Sequence, residues 1–202
     1  LAGAFYVFFP KRNIFWYPKE GIEKSVLSID PWVASVNASL KDGSIISIKV
    51  EERVPFALLC PENKTEAELV QCLFLDAEGF LFSAAPDFSG NIYLRFFATT
   101  SRLLIGSQFV PAPDFRAVIS FSQELSKNGL PVGAVLVGED SVRLRLEREG
   151  DIIVKVGQNF SEAMENLTTL LQTKEFKGRG EGGLIQFQYI DLRFGNKLFY
   201  KI

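Results

Sequence analysis

Histidine is absent from this chain of 202 residues. The Ser-His and Cys-His pairs that activate nucleophiles in many hydrolases therefore cannot form, and no imidazole is available to bind a metal. Catalysis would have to rest on carboxylates, lysine or cysteine. Glu51 and Glu52 are adjacent, so on a strand they point to opposite faces and cannot act as a facing acid and base. We therefore predict no catalytic site, no cofactor and no metal site.

Cysteine is scarce too, with Cys60 and Cys72 the only two residues of this type. They bracket the polar stretch 61–71, at positions where one strand is expected to end and the next to begin. A disulfide that closes a hairpin is one interpretation of this placement, and a pair of ordinary buried thiols is the other. A zinc site is not expected, because two cysteines without histidine do not complete a tetrahedron.

The sequence also lacks a hydrophobic run of the length that spans a bilayer, about 20 residues. The apolar opening segment Leu1–Phe9 stops at Pro10, and no initiator Met precedes it. We interpret the chain as a fragment trimmed at its N-terminus, with Leu1–Phe9 as the remainder of a packed helix. The end of a membrane span or of a signal peptide is the alternative.

Charge excludes another class of function. Hydrophobic residues make up 47% of the chain, and the net charge is only −2. This composition is typical of a globular protein and lacks the basic excess of nucleic-acid-binding proteins. We expect no nucleic-acid partner.

Two modules are predicted, residues 1–58 and residues 59–202, with the boundary near a polar, charge-rich stretch. In the first module, a helix is predicted at Lys19–Ser28. Its Ile22, Val26 and Ile29 recur at helical spacing and are expected to face one core. Two alternating strands follow, joined by a turn at Asp42-Gly43.

The second module is predicted to be richer in β-structure. Predicted strands lie at Cys72–Leu75, Gly79–Phe82, Ile92–Phe97, Val132–Val137, Val142–Glu147, Ile152–Val156, Leu184–Phe194 and Lys197–Ile202. Predicted helices lie at Pro113–Ser126, stopped by Asn128-Gly129, and at Phe160–Gln172, where Asn159 and Glu162 suit a capping pair and Met164 is core. The predicted fold class is α+β, with a mainly antiparallel sheet flanked by two helices.

Two further patterns favour ordinary structural roles. The glycine-rich stretch 178–183 lacks the Gly-Lys-Ser/Thr ending of a phosphate loop, so we interpret it as a flexible linker. Asp191 and Arg193 share a strand face, and an ion pair between them explains their spacing without any catalytic role.

Five segments together resemble the FtsQ/DivIB family of bacterial cell-division proteins. The stretches 31–36 (PWVASV) and 46–57 (ISIKVEERVPFA) resemble the second half of that family's POTRA domain. Residues 13–15 (NIF) resemble the segment before its second helix, residues 75–82 (LDAEGFLF) resemble the strand that opens its β-domain, and residues 189–194 (YIDLRF) resemble the C-terminal strand of that domain. The order and spacing agree over nearly the whole chain.

The resemblance implies a specific organisation. Residues 1–58 would be a POTRA domain whose first strand and most of whose first helix precede Leu1, and residues 59–202 the β-domain, with a longer insertion at 88–109 than is typical. The protein would be anchored in the inner membrane by a single span, with this region outside the cytoplasm. That placement favours a Cys60–Cys72 disulfide.

The resemblance also implies a function, that of a non-enzymatic scaffold. It would bind FtsB-like and FtsL-like coiled-coil partners at the division site, through strand addition at the last β edge. We expect Arg193 to meet a partner carboxylate, Phe194 and Phe199 to be apolar anchors, and Gly195 and Asn196 to set the turn. We expect Lys197 and Lys201, on the last strand, to protect this edge when no partner is bound.

Other interpretations remain open from the sequence. The aromatic residues of the last hairpin are equally well explained as sheet core. Other division proteins would contact the POTRA half around Trp32 and Arg53, although Trp32 is more typical of a core residue. A POTRA-containing component of secretion or outer-membrane assembly is the alternative function, and an enzyme would need a polar pocket with perturbed carboxylates.

Overall fold

A computed structural model describes residues 17–61, 71–98, 104–148, 150–176 and 186–202. The chain forms two compact units, Leu1–Val54 and Pro55–Ile202, which divide four residues before the boundary that we predicted. The opening segment Leu1–Phe9 and the glycine-rich stretch 178–183 lie outside the described residues.

Over its described residues, 17–54, the first unit contains one helix and one hairpin. Helix α1 spans Lys19–Leu27, and strands β1 (Val33–Lys41) and β2 (Ile45–Glu52) pair antiparallel. The predicted Asp42-Gly43 turn is confirmed, and both residues have positive φ. This conformation suits glycine and, among other residues, aspartate and asparagine best.

The predicted core face of α1 is wrong at one position. Ile22 and Val26 are half-buried, but Ile29 is 77% exposed. The helix ends at Leu27 and Ser28 caps it, so Ile29 no longer follows the helical repeat. The fully buried residue of this unit is instead Ala38 of β1, which links the strand to other parts of the unit. Its N–H donates to Glu23 Oε1 at 2.9 Å, and its carbonyl accepts from the Tyr17 hydroxyl at 3.2 Å.

The second unit is built on one nine-stranded mixed sheet, counted over the described residues. Its strands, in chain order, are β3 (Ala57–Pro61), β4 (Leu73–Leu75), β5 (Leu81–Ala84), β6 (Leu94–Ala98), β7 (Val132–Val137), β8 (Ser141–Leu146), β9 (Asp151–Lys155), β10 (Tyr189–Phe194) and β11 (Lys197–Lys201). The helices are α2 (Ala112–Lys127) and α3 (Phe160–Leu171). The α+β class is confirmed.

The strand order in the sheet is β11-β10-β9-β8-β7-β6-β3-β4-β5. Five neighbouring pairs are antiparallel, and three, β3–β6, β6–β7 and β9–β10, are parallel. The predicted mainly antiparallel sheet is therefore confirmed. A strand that ends near Cys60 was expected, but the start of β3 was not predicted, because we placed the module boundary there. Its apolar residues do not alternate with polar ones, since both faces of the strand are buried.

Both helices cover the same face of the sheet. Phe115, Phe121 and Leu125 of α2 join Met164 and Leu167 of α3 in one buried cluster with the inward side chains of the strands. The helices also meet directly, since the rings of Phe121 and Phe160 stack with centroids 5.0 Å apart. Met164 is core, as predicted.

A smaller cluster covers the other face of the sheet at the β3–β4–β5 end. It contains Leu58, Cys60, Phe74, Phe82 and Ala85, with Phe88 and Tyr93 packed against it. The stretch 88–109, whose pairing the sequence left open, supplies β6 and this aromatic cover, while residues 99–103 lie outside the described part.

The helix ends follow the predicted local signals. Helix α2 ends in a Schellman motif, in which the N–H of Leu130 donates to the carbonyl of Leu125 and the N–H of Gly129 to that of Ser126. Gly129 has a φ of +83°, as this motif requires. At the start of α3, the Asn159 side chain accepts from the N–H groups of Ser161 and Glu162.

A disulfide joins Cys60 to Cys72, with the two Cα atoms 4.3 Å apart. The β3–β4 register pairs Leu59 with Leu73, so the two cysteines occupy the next facing position of this hairpin. The carbonyl of Cys72 accepts from the N–H of Ala85 and points toward β5, which leaves the cysteines as a non-hydrogen-bonded pair, where facing Cα atoms are closest.

We expect removal of this disulfide to lower the free energy of unfolding. The variant Cys60→Ala with Cys72→Ala should lose about 3 kcal/mol, because the reduced chain gains conformational freedom when unfolded. Urea unfolding monitored by far-ultraviolet circular dichroism measures the loss, because both tryptophans belong to the first unit and do not report on the second. Dithiothreitol should weaken the wild-type protein to a similar degree and leave the double variant unchanged. If dithiothreitol left the unfolding midpoint of the wild-type protein unchanged, the Cys60–Cys72 disulfide would be contradicted.

The turn before β5 offers a sharper test of packing. Gly79 has a φ of +79°, and an added Cβ would lie 2.8 Å from Cγ of the buried Phe115 ring. Gly90 also has positive φ, +95°, but nothing lies within 4 Å of its Cβ position. Gly79→Ala and Gly90→Ala therefore share the backbone cost, and only the first adds a clash. Gly79→Ala should lose about 2 kcal/mol more in thermal or urea unfolding. Equal losses would rule out the close approach.

Candidate binding site at the last hairpin

The last hairpin, β10–β11, forms one edge of the nine-stranded sheet. Strand β10 runs parallel to β9 on one side and antiparallel to β11 on the other. Its Ile190 and Leu192 are buried in the core beneath the helices. Pairing with β9 and burial of these two side chains hold β10 in place, and β11 pairs with this well-ordered strand.

The turn of the hairpin is short and is tied to a helix. Gly195 and Asn196 connect Phe194 to its partner Lys197, and Gly195 has a φ of +62°. Glycine is favoured at this first central position of a two-residue hairpin turn of type II′. The Asn166 side chain of α3 donates to the carbonyl of Gly195 at 3.0 Å. The predicted role of Gly195 and Asn196 in the turn agrees with this geometry.

One face of β11 faces the helix side. Leu198 packs against the core, and the Tyr200 ring meets the buried Phe176 with centroids 5.2 Å apart. The Tyr200 hydroxyl donates to Glu175, and this bond, helped by burial and by the charge of Glu175, raises the pKa of Tyr200 above its ordinary value. By alternation, Lys197, Phe199 and Lys201 point to the opposite face.

The outer edge of β11 presents backbone groups. The carbonyl of Lys201 accepts from the N–H of Gln188 at 2.7 Å, so the backbone groups of Lys201 point toward β10. By alternation, the N–H and C=O groups of Leu198 and Tyr200 point away from the sheet. Among the described residues, β11 pairs with β10 alone. These groups can therefore hydrogen-bond an added strand.

Two aromatic rings stand at this edge. Phe194 and Phe199 are 52% and 54% exposed, and their rings meet edge to face with centroids 5.3 Å apart. The interpretation of these two residues as sheet core is therefore wrong. The guanidinium of Arg193 lies over the Phe194 ring, 5.5 Å from its centroid. An exposed aromatic pair held in one geometry is the kind of anchor that binding interfaces use.

Arg193 is bound to Asp191 in a bidentate ion pair. Its Nε donates to Oδ1 at 2.9 Å, and its Nη2 donates to Oδ2 at 2.6 Å. The predicted ion pair is confirmed, and its carboxylate is buried rather than at the surface. Arg193 therefore reaches a partner carboxylate only as a donor already shared with Asp191. Its position over Phe194 is fixed by the same pair.

The ion pair changes the pKa of both groups. Burial by itself would raise the pKa of Asp191, but the hydrogen bonds and charge of Arg193, with a further contribution from the charge of Arg143, outweigh it. The pKa of this carboxyl therefore lies below its ordinary value. The hydrogen bonds to Asp191 likewise raise the pKa of the Arg193 guanidinium.

Trp32 and Arg53 come together in the first unit. The N–H of Arg53 donates to the carbonyl of Trp32 at 2.7 Å, and its Nε donates to the carbonyl of Pro31 at 3.1 Å. Trp32 is 36% exposed, so the expectation of a core residue is wrong. In the neighbouring β1–β2 hairpin, Ala38 is the one buried residue.

Sequence reasoning missed the residues that hold the hairpin in place. Asn166, Glu175 and Phe176 fix the turn and the inner face of β11 from outside the hairpin. Asn166 lies in α3, whose helical repeat predicts a core face but not which polar side chain reaches a turn. Glu175 and Phe176 follow the helix, where no repeat marks them.

Wider comparisons give no further assignment. No model of a known protein family matches the chain, and no curated protein matches it. Over the ranges that the structure describes, no helix is both long and apolar enough to cross a bilayer, and no group of three or more acidic, cysteine or histidine side chains is placed to hold a metal ion.

We expect Asp191→Asn to weaken the fold in a pH-dependent way. The pKa of Asp191 is lowered on folding, so its ionised form stabilises the native state above the pKa of the unfolded carboxyl, about 3.9. That stabilisation is lost as the pH falls through the lower folded-state pKa. At neutral pH the variant should lose about 2 kcal/mol of unfolding free energy.

Urea unfolding at a series of pH values measures this effect. The difference between wild type and Asp191→Asn should shrink below the pKa of the unfolded carboxyl. Asp87→Asn changes an exposed carboxylate and is the matched control, with an effect within about 0.5 kcal/mol. A difference that stays constant down to acidic pH would show that the ion pair does not carry the effect.

Proposed function

We propose that this chain is a non-enzymatic, protein-binding scaffold of the bacterial division machinery, of the FtsQ/DivIB type. Its partners would be the extracytoplasmic segments of FtsB-like and FtsL-like proteins. The observation that carries the proposal is the β11 edge, where Leu198 and Tyr200 direct backbone groups away from the sheet. An extended segment that pairs there gains main-chain hydrogen bonds irrespective of its sequence.

Specificity would come from the side chains beside that edge. Phe194 and Phe199 offer apolar area that is already ordered by their mutual contact, so little rotamer entropy is lost on binding. Arg193 contributes a fixed positive charge next to the rings. A partner strand with an apolar residue facing Phe199 and a carboxylate near Arg193 matches this arrangement.

The two lysines of β11 explain how such an edge stays free of self-association. Lys197 and Lys201 are exposed at either end of the strand. Lysines on edge strands are a common protection against pairing between copies of the same protein. A partner with acidic residues at its ends would relieve this protection, whereas a second copy of β11 would add to the repulsion.

The remaining evidence concerns the compartment and the motifs. A disulfide is characteristic of proteins in oxidising compartments, and the Cys60–Cys72 bond is consistent with an extracytoplasmic region. The residues of the YIDLRF motif, 189–194, form β10 and thus lie next to the proposed binding edge. In the same proposal the first unit is the POTRA domain, the anchor is a single inner-membrane span, and further division proteins bind around Trp32 and Arg53.

The main test is calorimetric titration with FtsB-like and FtsL-like extracytoplasmic segments. Phe199→Asp places a charge in the apolar contact and should weaken binding at least about 30-fold, as expected for a central anchor. Ile92→Asp makes the same kind of change at another exposed apolar residue of this unit and should leave binding unchanged. Equal effects of the two substitutions would count against this site.

A matched pair at Tyr200 tests strand addition itself. Tyr200→Ala and Tyr200→Pro both remove the ring, but only proline removes the outward N–H. Because that N–H does not bond β10, proline at this position spares the β10–β11 ladder. Binding should survive in Tyr200→Ala and be lost in Tyr200→Pro, with circular dichroism as the check on folding. Binding that survives both variants would place the partner elsewhere.

A further inference from the structure

The sheet presents a second surface, which shares the side chains of Phe194, Phe199 and the β11 lysines with the site at the last hairpin and extends from them across β10, β9 and β8. Helices α2 and α3 cover one face of β8–β11, and the alternate residues of these strands point to the other face, which we call the open face. The strand registers arrange it in rows. Arg145 faces Asp151, which faces Tyr189, and Arg143 faces Ile153, which faces Asp191.

The open face carries a strong excess of positive charge. Its cationic residues are Arg143, Arg145, Lys155, Arg193, Lys197 and Lys201, and its carboxylates are Asp151 and Asp191. Glu147 and Arg148, which follow β8, add one charge of each sign. The whole chain has a net charge of −2, so this concentration is not a matter of composition.

Over the described residues, salt bridges on the open face involve three of its six cations. Asp151 lies between two arginines, 3.2 Å from Arg143 and 3.6 Å from Arg145, so one carboxylate serves two cations. Asp191 is bound to Arg193. Within the described residues, no salt bridge involves Lys155 on this face.

Apolar groups and a cleft border the charged rows. Phe194 and Phe199 are exposed at the β11 margin, next to Lys197 and Lys201. At the end of the face near the start of β9 lies an open cleft of about 590 Å³, lined by Arg145, Arg148, Asp151, Gln186, Gln188 and Ile202 among others. Lysines beside exposed phenylalanine rings occur on protein segments that lie at a membrane interface.

We propose that the open face docks onto the surface of an anionic phospholipid bilayer. The charges are spread over four adjacent strands, about 14 Å from the first strand to the fourth at the usual strand spacing, rather than gathered in one groove. Such an extended layer suits a planar anionic surface better than one peptide strand. The cleft between Arg145 and Arg148 is placed to receive a lipid headgroup, and the rings of Phe194 and Phe199 enter the interfacial layer.

The test is flotation of the intact chain with vesicles. Vesicles of phosphatidylcholine should not bind the protein, whereas vesicles with about one-third phosphatidylglycerol should bind it, less strongly as salt rises. Arg145→Gln with Lys155→Gln removes two charges from the open face and leaves Asp151 paired with Arg143. This variant should bind anionic vesicles about 30-fold more weakly.

A matched variant controls for net charge. Lys127→Gln with Lys174→Gln removes the same charge from exposed positions near the ends of α2 and α3 and should bind like wild type. The open-face variant should still bind the division-protein segments, because neither substituted residue lies on β11; this separates the two proposals. Equal binding to neutral vesicles, or wild-type binding by the open-face variant, would overturn the inference. Binding of poly-glutamate without vesicle binding would also overturn it, in favour of an acidic polypeptide.

Discussion

The structure depends on the burial of one sheet face beneath two helices. Phe115, Phe121 and Leu125 of α2 and the apolar stripe of α3 fix which alternate residues of β7–β10 point inward. Because the side-chain period of a strand is two, that choice also fixes every residue on the opposite face. Core packing therefore also determines that the cationic rows and Asp191 lie on the opposite face, and no local sequence signal is needed to place them there.

The two ends of the sheet are treated differently. At the β5 end, Leu81 exchanges backbone hydrogen bonds with Gly106 and Ser107, and an aromatic cluster with a disulfide covers one face. At the β11 end, the outward groups of Leu198 and Tyr200 have no such cover among the described residues. A sheet that closes one edge and keeps the other available is consistent with a single, directed binding edge.

The sequence predicted most clearly the elements with a simple repeat. Helix α3 follows from its cap at Asn159 and the spacing of Met164 and Leu167, and β8 follows from strict alternation. The start of β3 was not predicted, because a strand buried on both faces shows no alternation of apolar and polar residues. In the site, alternation placed Phe199 correctly. The buried Asp191–Arg193 pair and the contacts from Asn166 were not predictable in detail, since they depend on elements distant in sequence.

The position of the disulfide has a kinetic consequence. The Cys60–Cys72 bond lies in a local hairpin, but β3 also pairs in parallel with β6, which brings together residues more than thirty positions apart. Distant pairings of this kind are slow to form, because a long loop must close before any contact stabilises it. In the oxidised chain β3 and β4 are joined from the start. The register of β3 against β4 is therefore set before β6 pairs with β3. In the reduced chain, β3 and β4 must first meet by diffusion.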